Sequence, residues 1–486
     1  MLALALITVL APAAAILLIG VTRHPRLAAF LNLAAAVVSF LAALPLPVLT
    51  TMRGPHLFWS GSIIVDRLGA WVQLCTSIVY LLSSIYAVGY MRMLDEEARL
   101  PRFYALFAGF GLTTLVGPMM NNPGLYWIAI ELTTLVSTFL VAFERAPEAI
   151  EAGWKYIIVV SGGISLALLG TVLSYWNGSF VLGPRYDMTW ASLARAAPHT
   201  DPMLALLSFL LVLIGFGTKV GLAPMHTWLP DAHSEGPAPV SAMLSGALLN
   251  TAMIGIVRYL ALADQAGVGR ISHSVLIALG VFSLFVAALF IVRQEGIKRL
   301  MAYSSVEHMG VIALGFGFGG PFGVAGALYH MMNHSLNKSL MFFGAGNVMR
   351  SYGTKEISHI GGVGLRFPVM GALWLAGAVA ITGAPPFGLF QAEFSTLRGG
   401  LATGHVLPVL IMVVLLIVIF IGFLNHFRVM YYESSIAPAA EAGTLSVWCT
   451  VPMWCALAPL LVLGLWWPEA IWNYFVTIAH VLGGAR

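Results

Sequence analysis

Three ionisable side chains lie four residues apart within a long apolar stretch, in the segment "YHMMNHSLNKSL" at residues 329–340. If this segment is a helix, His330, His334 and Lys338 climb one face and drift by only about 40° per step. Histidine titrates near neutral pH, and side chains one turn apart can pass a proton through intervening water. The spacing therefore indicates a proton relay. A single histidine inside a membrane is more often a hydrogen-bonded core residue. That interpretation explains three ionisable side chains on one face less well.

Metal binding is the less favoured interpretation of the same residues. His330 and His334 have a spacing that would allow both to ligate one ion. Lys338, however, extends the same face, and no cysteine or carboxylate completes a ligand set. We therefore predict no metal site. The cysteines, Cys75, Cys449 and Cys455, have no metal-binding spacing and are expected to be small core residues.

Three further charges interrupt apolar segments: Glu131 in "YWIAIELTTLVSTFL", Lys219 in "GFGTKVGLAPMHTWLPDAHSEG" and Glu393 in "ITGAPPFGLFQAEF". A charge at the centre of a lipid-facing helix costs about 2.5–3.5 kcal/mol, so we expect these side chains to face the interior of a bundle. Together with Lys338 they form two acids and two bases, a balanced set for moving protons. The alternative is a Lys–Glu pair that only fixes the register of two helices.

Two more ionisable residues, Glu307 and His308 in "AYSSVEHMG", stand close to a helix start. The sequence leaves open whether they lie deep in the bundle or at its surface. His226, within "APMHTWLPDAHSEG", and Asn250, within "LLNTAMIGIVRY", are further candidates for a relay.

The elements that position these residues are membrane spans. The chain has 486 residues, of which 59% are hydrophobic and only 9% charged, whereas a soluble domain has about 25% charged residues. Apolar stretches long enough to cross a bilayer recur along the whole chain, which predicts an all-α polytopic membrane protein with about fourteen spans. The predicted spans are 2–21, 27–48, 68–90, 104–121, 123–143, 153–176, 203–233, 238–262, 273–292, 300–317, 322–347, 367–398, 407–431 and 448–467.

The longest polar connection is expected at roughly 177–202. Counted over the connections, about fourteen Lys and Arg residues fall on one side of the bundle and about eight on the other. The richer side is predicted to be cytoplasmic, which puts both termini on the outer, periplasmic side. The residues assigned to the richer side are Arg23, Arg26, Arg92, Arg99, Arg102, Arg145, Lys155, Arg293, Lys298, Arg299, Arg350, Lys355, Arg366 and Arg428.

Two of the spans contain glycine and proline next to a buried charge. The seventh holds Gly221 and Pro224 after Lys219, and the twelfth holds Pro385 and Pro386 before Glu393. Proline removes a backbone donor and clashes with the preceding turn, so both helices are expected to be broken. A simple proline kink explains either break alone. Two breaks, one in each half and each beside a charge, favour a transporter.

Several longer motifs now resemble a known family. The segments "KVGLAPMHTWLPDAHSEGPAPVSAMLSG", "YSSVEHMG", "HMMNHSLNKSLMFFGAGNV" and "WIAIELTTL" are similar to those of the antiporter-like subunits of respiratory complex I and its relatives, along nearly the whole chain. The resemblance implies fourteen helices with two inverted five-helix repeats, each containing a broken helix. It divides the chain into a three-helix N-terminal segment (1–103), a first repeat (104–262), a second repeat (273–431) and a C-terminal helix (432–486).

The resemblance also implies roles for the residues above. Glu131 corresponds to the essential glutamate of the fifth helix, and Lys219 to the lysine of the broken seventh helix that pairs with it. The ladder at His330, His334 and Lys338 corresponds to the relay of the eleventh helix, and Glu393 to the charge of the broken twelfth. By this analogy a proton enters from the cytoplasmic side near Lys219 and leaves near Glu393.

One position departs from the family. Many relatives carry a lysine in the eighth helix where this chain offers Asn250, which can hold a water molecule but no charge. Either water bridges the two halves, or their coupling is weaker. The chain most resembles the hydrogenase-4 component F branch, close to the fourth NADH-dehydrogenase chain type.

The resulting prediction is a non-catalytic, cofactor-free, proton-translocating subunit of a redox-driven complex in a prokaryotic inner membrane. Its partners would be further antiporter-like membrane subunits and a hydrogenase or dehydrogenase peripheral arm, with no nucleic acid. Two alternatives stay open: a subunit of a multi-subunit Na⁺/H⁺ antiporter, and a non-conducting structural spacer in which Asn250 has interrupted the relay.

Overall fold

The computed structural model describes residues 1–94, 97–433 and 445–483. This part of the chain is nearly all helical. The helices are α1 (Leu2–Thr22), α2 (Pro25–Ala43), α3 (Leu46–Arg53), α4 (Arg67–Tyr90), α5 (Leu100–Val116), α6 (Pro123–Val141), α7 (Pro147–Leu182), α8 (Trp190–Ala196), α9 (Pro202–Val220), α10 (Trp228–Glu235) and α11 (Ala238–Met243). They continue with α12 (Leu249–Gln265), α13 (Gly269–Val292), α14 (Ile297–Phe318), α15 (Gly320–Tyr352), α16 (Val363–Arg366), α17 (Pro368–Ile381), α18 (Gly388–Ala402), α19 (Val406–Tyr432), α20 (Val447–Leu465) and α21 (Glu469–Val481).

Ten helical segments among the described residues are long and apolar enough to cross a membrane. The helices α14 and α15 have the length but carry polar and ionisable residues along it. The ten segments are Leu2–Thr22, Pro25–Arg53, Arg67–Met93, Pro123–Val141, Pro147–Leu182, Pro202–Val220, Ala238–Gln265, Gly269–Val292, Val406–Tyr432 and Val447–Leu465.

The most polar helices occupy the centre of the bundle. Helices α12, α14 and α15 are buried along nearly their whole length, whereas α1, α7 and α19 expose leucine, isoleucine and phenylalanine on one side. This is the arrangement that the cost of charge in lipid requires, because only the centre can supply polar partners. A π-helical turn at Leu244–Leu248 joins α11 to α12.

Both predicted helix breaks are present. Helix α9 ends at Gly221, which has a φ of 82°, and the chain is irregular until α10 begins at Trp228. Helix α17 ends before Gly383, with a φ of 68°, and α18 begins at Gly388. The freed backbone groups of the first break find partners: Ala223 N donates to Ser283 Oγ at 3.0 Å. Irregular backbone at membrane depth is thus covered by protein.

The connections gather at two opposite faces of the bundle. On one, here called the basic face, Arg350 pairs with Glu144 at 2.7 Å and Lys355 with Glu235 at 2.7 Å. On the other, the opposite face, Arg258 pairs with Asp66 at 2.8 Å. The chain starts on the opposite face, and Gly483 lies there as well, close to Asp264.

The structure corrects several expectations about elements. Helix α7 continues to Leu182, so the long polar connection is shorter than predicted and contains α8; Asn177 holds this region by bonding the backbone of Asp201. The predicted N-terminal segment contains, besides its spans, an antiparallel hairpin of β1 (His56–Phe58) and β2 (Ile63–Val65). The predicted C-terminal segment contains α21 besides α20, while its residues 434–444 and 484–486 lie outside the described part.

Candidate functional site

In the first half, Lys219 is held by hydroxyl groups. It is fully buried near the end of α9, and its Nζ donates to Thr134 Oγ1 on α6 and to Tyr156 OH on α7, both at 2.8 Å. Tyr156 OH also lies 2.8 Å from Ser137 Oγ. The break after α9 fixes the height of the ammonium, and the three-residue spacing of Thr134 and Ser137 puts both hydroxyls on one face of α6.

Glu131 differs from its prediction. It is half-buried on the flank of α6 rather than in the interior, and its Oε1 accepts from Ser161 Oγ of α7 at 2.6 Å. Its Oε2 is buried without a hydrogen-bond partner, and no ion pair joins it to Lys219 among the described residues. The expected pairing of Glu131 with Lys219 is therefore indirect in this conformation, because Thr134, one turn away on α6, takes the ammonium instead.

His226 lies in the break between α9 and α10. Its ring is largely buried and stands 6.1 Å from the Tyr303 ring of α14, and its Nδ1 has no hydrogen-bond partner among the described residues. This places an ionisable group between Lys219 and the second half.

In the second half, the ladder of α15 is completely buried. His330 Nε2 lies 2.9 Å from His308 Nδ1 of α14, so one ring donates its N–H to the other. The remaining nitrogens, His308 Nε2 and His330 Nδ1, have no hydrogen-bond partner among the residues that the structure describes. A proton that enters at one of these atoms and leaves at the other would exchange both tautomers, which is how an imidazole chain conducts.

The other two ladder residues contact different elements. His334 Nε2 lies 3.3 Å from the carbonyl of Ser245 in the π-helical turn. Lys338 Nζ donates to the Met301 carbonyl at 3.0 Å and to Ser304 Oγ. Glu307, also buried, follows Ser304 by three residues and shares its face of α14. Glu307 and His308 are therefore deep in the bundle.

Glu393 completes a cluster that the sequence did not reveal. It is 6% exposed on α18, and its carboxylate comes within 4.8 Å of ligand atoms of His308 and His330. The expectation that no carboxylate accompanies the histidines is therefore wrong, because the second break directs α18 toward α14 and α15. These three residues are the ones that could bind a cation in the described part of the chain.

Between the halves stands Asn250. Its Nδ2 donates to Ser335 Oγ at 3.0 Å and to the carbonyls of Gly246 and Met331 at 3.2 Å. Its Oδ1 is buried without a partner, and no hydrogen bond connects it to Lys219 within the described residues. The amide thus contacts the second half and leaves a gap toward the first.

Two buried ionisable residues were missed. Lys298, predicted to lie in a basic connection, is 3% exposed and donates to the carbonyls of Ser234 and Gly236 at the end of α10. His233 is fully buried against Phe342, and within the described part of the chain neither of its ring nitrogens has a hydrogen-bond partner. His233 lies within the long motif "LPDAHSEG", and this position was the sequence signal that could have identified it. Nothing in the local sequence distinguishes Lys298 from its neighbour Arg299.

The fold and these buried groups define a multi-span membrane protein that keeps ionisable side chains at its centre. Residues 121–419 match the family described as NADH:quinone oxidoreductase/Mrp antiporter, transmembrane. The chain is 37% identical over 409 residues to the hydrogenase-4 component F homolog of Methylacidiphilum infernorum (isolate V4), which covers 82% of this chain and 84% of that one. The chain therefore belongs to this antiporter-like family of membrane subunits.

Two solved structures share the fold. One is the archaeal membrane-bound sulfane sulfur reductase, a respiratory membrane complex, with a TM-score of 0.87 at 22% identity over 98% of this chain and 97% of that one. The other is the Mrp complex from Dietzia sp. DQ12-45-1b, with a TM-score of 0.87 at 20% identity over 99% and 97%. Both are described as complexes, and at this level of identity the likeness shows the fold.

Proposed function

We propose that this chain conducts protons across the membrane as a subunit of a redox-driven complex of the hydrogenase-4 type. The observation that carries the proposal is the buried cluster in which His308 and His330 share a hydrogen bond beside Glu393, at the centre of an otherwise apolar bundle. Burying ionisable groups away from water costs free energy, and apolar residues would fill the same space at lower cost. A buried ionisable cluster therefore indicates a functional role.

The proposed architecture has fourteen spans and two inverted five-helix repeats, 104–262 and 273–431. In this arrangement the break between α9 and α10 corresponds to the break between α17 and α18. The excess of Lys and Arg makes the basic face cytoplasmic and places both termini outside. Paired broken helices near mid-membrane support this arrangement, since they are typical of inverted-repeat transporters.

In the proposed path, a proton reaches Lys219 and Glu131 from the basic face and passes the gap at Asn250 by way of water. It then crosses the His334, His330 and His308 group and leaves from Glu393 toward the opposite face. Lys338 and Glu307 would adjust the charge of the group. The chain supplies no redox cofactor site in this proposal, so the energy comes from a hydrogenase or dehydrogenase arm.

A partner's movement could drive the path by changing what holds Lys219. Moving one charge against 100 mV requires about 2.3 kcal/mol. Hydrogen bonds to a charged group contribute about 1.5–3 kcal/mol each. If Lys219 exchanged its bonds to Thr134 and Tyr156 for one to the Glu131 carboxylate, the change in free energy would be large enough to move one proton.

A second candidate is a subunit of a Na⁺/H⁺ antiporter. The fold shared with the Mrp complex favours it, as does the convergence of His308, His330 and Glu393 on a point where a cation could bind. Transport that depends on Na⁺ without a redox partner would distinguish this candidate. The third candidate is a structural spacer, and it is supported by the gap between Asn250 and the groups of the first half.

The test is redox-driven proton pumping in inverted membrane vesicles that contain the whole complex. We expect Lys219→Ala, and separately the pair His334→Ala with Lys338→Ala, to abolish pumping while electron transfer persists or slows. Lys155→Ala, which removes a half-exposed lysine on α7, is the matched control and should pump normally. Unchanged pumping in both variants would establish the spacer instead.

A further inference from the structure

An open cavity of about 540 Å³ lies on the opposite face, where the two halves of the chain meet. Four ionisable side chains from three elements line it. Asp264 belongs to the end of α12, Arg270 and His273 to the start of α13, and His405 to the connection between α18 and α19. None of them belongs to the central group described above.

Asp264 and His273 can hold one proton between them. His273 Nδ1 lies 2.7 Å from the carbonyl oxygen of Gly317, and because a carbonyl has no proton to give, Nδ1 carries the N–H and donates. His273 Nε2 lies 3.1 Å from Asp264 Oδ2. With a proton between these two atoms, the pair is either imidazolium with carboxylate or neutral imidazole with carboxylic acid. After the proton has left, a neutral imidazole faces a carboxylate, so the pair takes up and releases one proton.

The other groups around the pair set its charge. Arg270 lines the cavity as a permanent cation. Partial burial and the neighbouring His273 hold the pKa of His405 below its usual range, which favours its neutral form. Asp264 also lies beside Gly269, the first residue of α13, where a helix N-terminus favours a negative charge. The pair is consequently an acid and a base that bond each other at the wall of the cavity, next to a permanent cation.

The cavity extends toward the relay. Val324 of α15 is part of its lining and precedes His330 by six residues, a distance of about 9 Å along the helix axis. On the same face of the first half, the cavity beside Asn177 and Tyr259 measures only about 30 Å³, which is about the volume of a single water molecule. Of these two cavities, the one at the second half is therefore much the larger.

We propose that Asp264 and His273 are the proton-release site of the second half. A proton arriving from the relay through water binds to the pair, between His273 Nε2 and Asp264 Oδ2, and is then passed to water in the cavity. The inference rests on the proposed function, and it assigns the release step to a pair outside the central relay.

The test uses inverted vesicles with the whole complex, whose lumen corresponds to the opposite face. Redox-driven pumping is measured with the lumen between about pH 6 and about pH 8, the range in which histidine titrates. In the wild type, pumping should slow as the lumen is acidified, because the pair stays protonated. Asp264→Asn and His273→Gln should pump roughly tenfold more slowly and lose this dependence on lumenal pH.

Controls separate this result from misfolding and from failure of the proposed function. Asp187→Asn and His199→Gln make the same chemical changes at exposed positions of the same face and should behave as wild type. His273→Gln retains an N–H for Gly317, and the amount of assembled complex is compared on native gels. If Asp264→Asn and His273→Gln pump at wild-type rates with the wild-type pH dependence while Lys219→Ala is inactive, the release site alone is overturned. Normal pumping in Lys219→Ala would overturn both proposals.

Discussion

At the scale of single residues, the first half depends on how one ammonium group is solvated. Lys219 is held by the hydroxyls of Thr134 and Tyr156, and no ion pair joins it to a carboxylate in the described part of the chain. A hydroxyl can accept from the ammonium and, once the lysine has lost its proton, donate back to it. The site can therefore hold Lys219 in either protonation state, which a permanent ion pair could not do.

This predicts a measurable effect for Tyr156→Phe. The substitution removes one acceptor from Lys219 and the partner of Ser137. A hydrogen bond to a charged group contributes about 1.5–3 kcal/mol, so we expect pumping to fall by roughly ten- to a hundredfold while the complex still assembles. The assay is redox-driven proton uptake into inverted vesicles. Tyr175→Phe, also on α7, removes only a hydroxyl bonded to the Pro184 carbonyl, and it should be neutral. Equal rates in the two variants would show that the Tyr156 hydroxyl is not needed.

At the scale of elements, the breaks place the charges. The Glu393 carboxylate lies directly against Gly383, and a Cβ at that position would collide with it. Gly388, the first residue of α18, similarly leaves room only for the amide of Asn333. The irregular backbone after α17 is thus shaped around Glu393, and the break and the charge are parts of one feature.

Gly383→Ala tests this relation, with Gly404→Ala as its matched control. Both glycines have a positive φ, 68° and 81°, so each alanine costs about 1–2 kcal/mol of backbone strain. A Cβ at Gly404, however, meets no atom within 4 Å. We expect both variants to lower the thermal stability of the complex similarly, and only Gly383→Ala to reduce pumping several-fold by displacing Glu393. Normal pumping in Gly383→Ala would show that the backbone at this break is not needed to position Glu393 for proton transfer.

The sequence predicted what depends on local pattern. The apolar periods located most spans, and glycine and proline located both breaks. It could not show that Glu393 meets His308 and His330, since residues 85 and 63 positions apart come together only through tertiary packing of α18 on α14 and α15. For the same reason Lys298 was placed in a connection and Glu131 in the interior. The local sequence around a basic residue near a helix start is the same whether water surrounds its side chain or, as for Lys298, the carbonyls at the end of α10 do.

At the scale of the whole molecule, the two halves are tied together at the basic face. Lys298 of α14 donates to the carbonyls of Ser234 and Gly236, and Arg299 pairs with Asp231 of α10 at 2.6 Å. Helix α10 follows the first break, while α14 carries the histidine that bonds His330. These contacts therefore connect the helix after the first break directly to the helix that carries His308, even though Asn250 carries no charge between the halves.

The direction of transport depends on which face is cytoplasmic, and this can be measured by labelling. Cys75 and Cys449 are buried, so replacing the exposed Cys455 by alanine gives a suitable background. We expect an impermeant maleimide to label Asp187→Cys, on the opposite face, in intact spheroplasts. Glu356→Cys, on the basic face, should react only after the membrane is opened, because the face richer in Lys and Arg stays inside. The reverse pattern would invert the proposed path and place proton release at the basic face. Labelling of both positions from one side would contradict the two faces themselves.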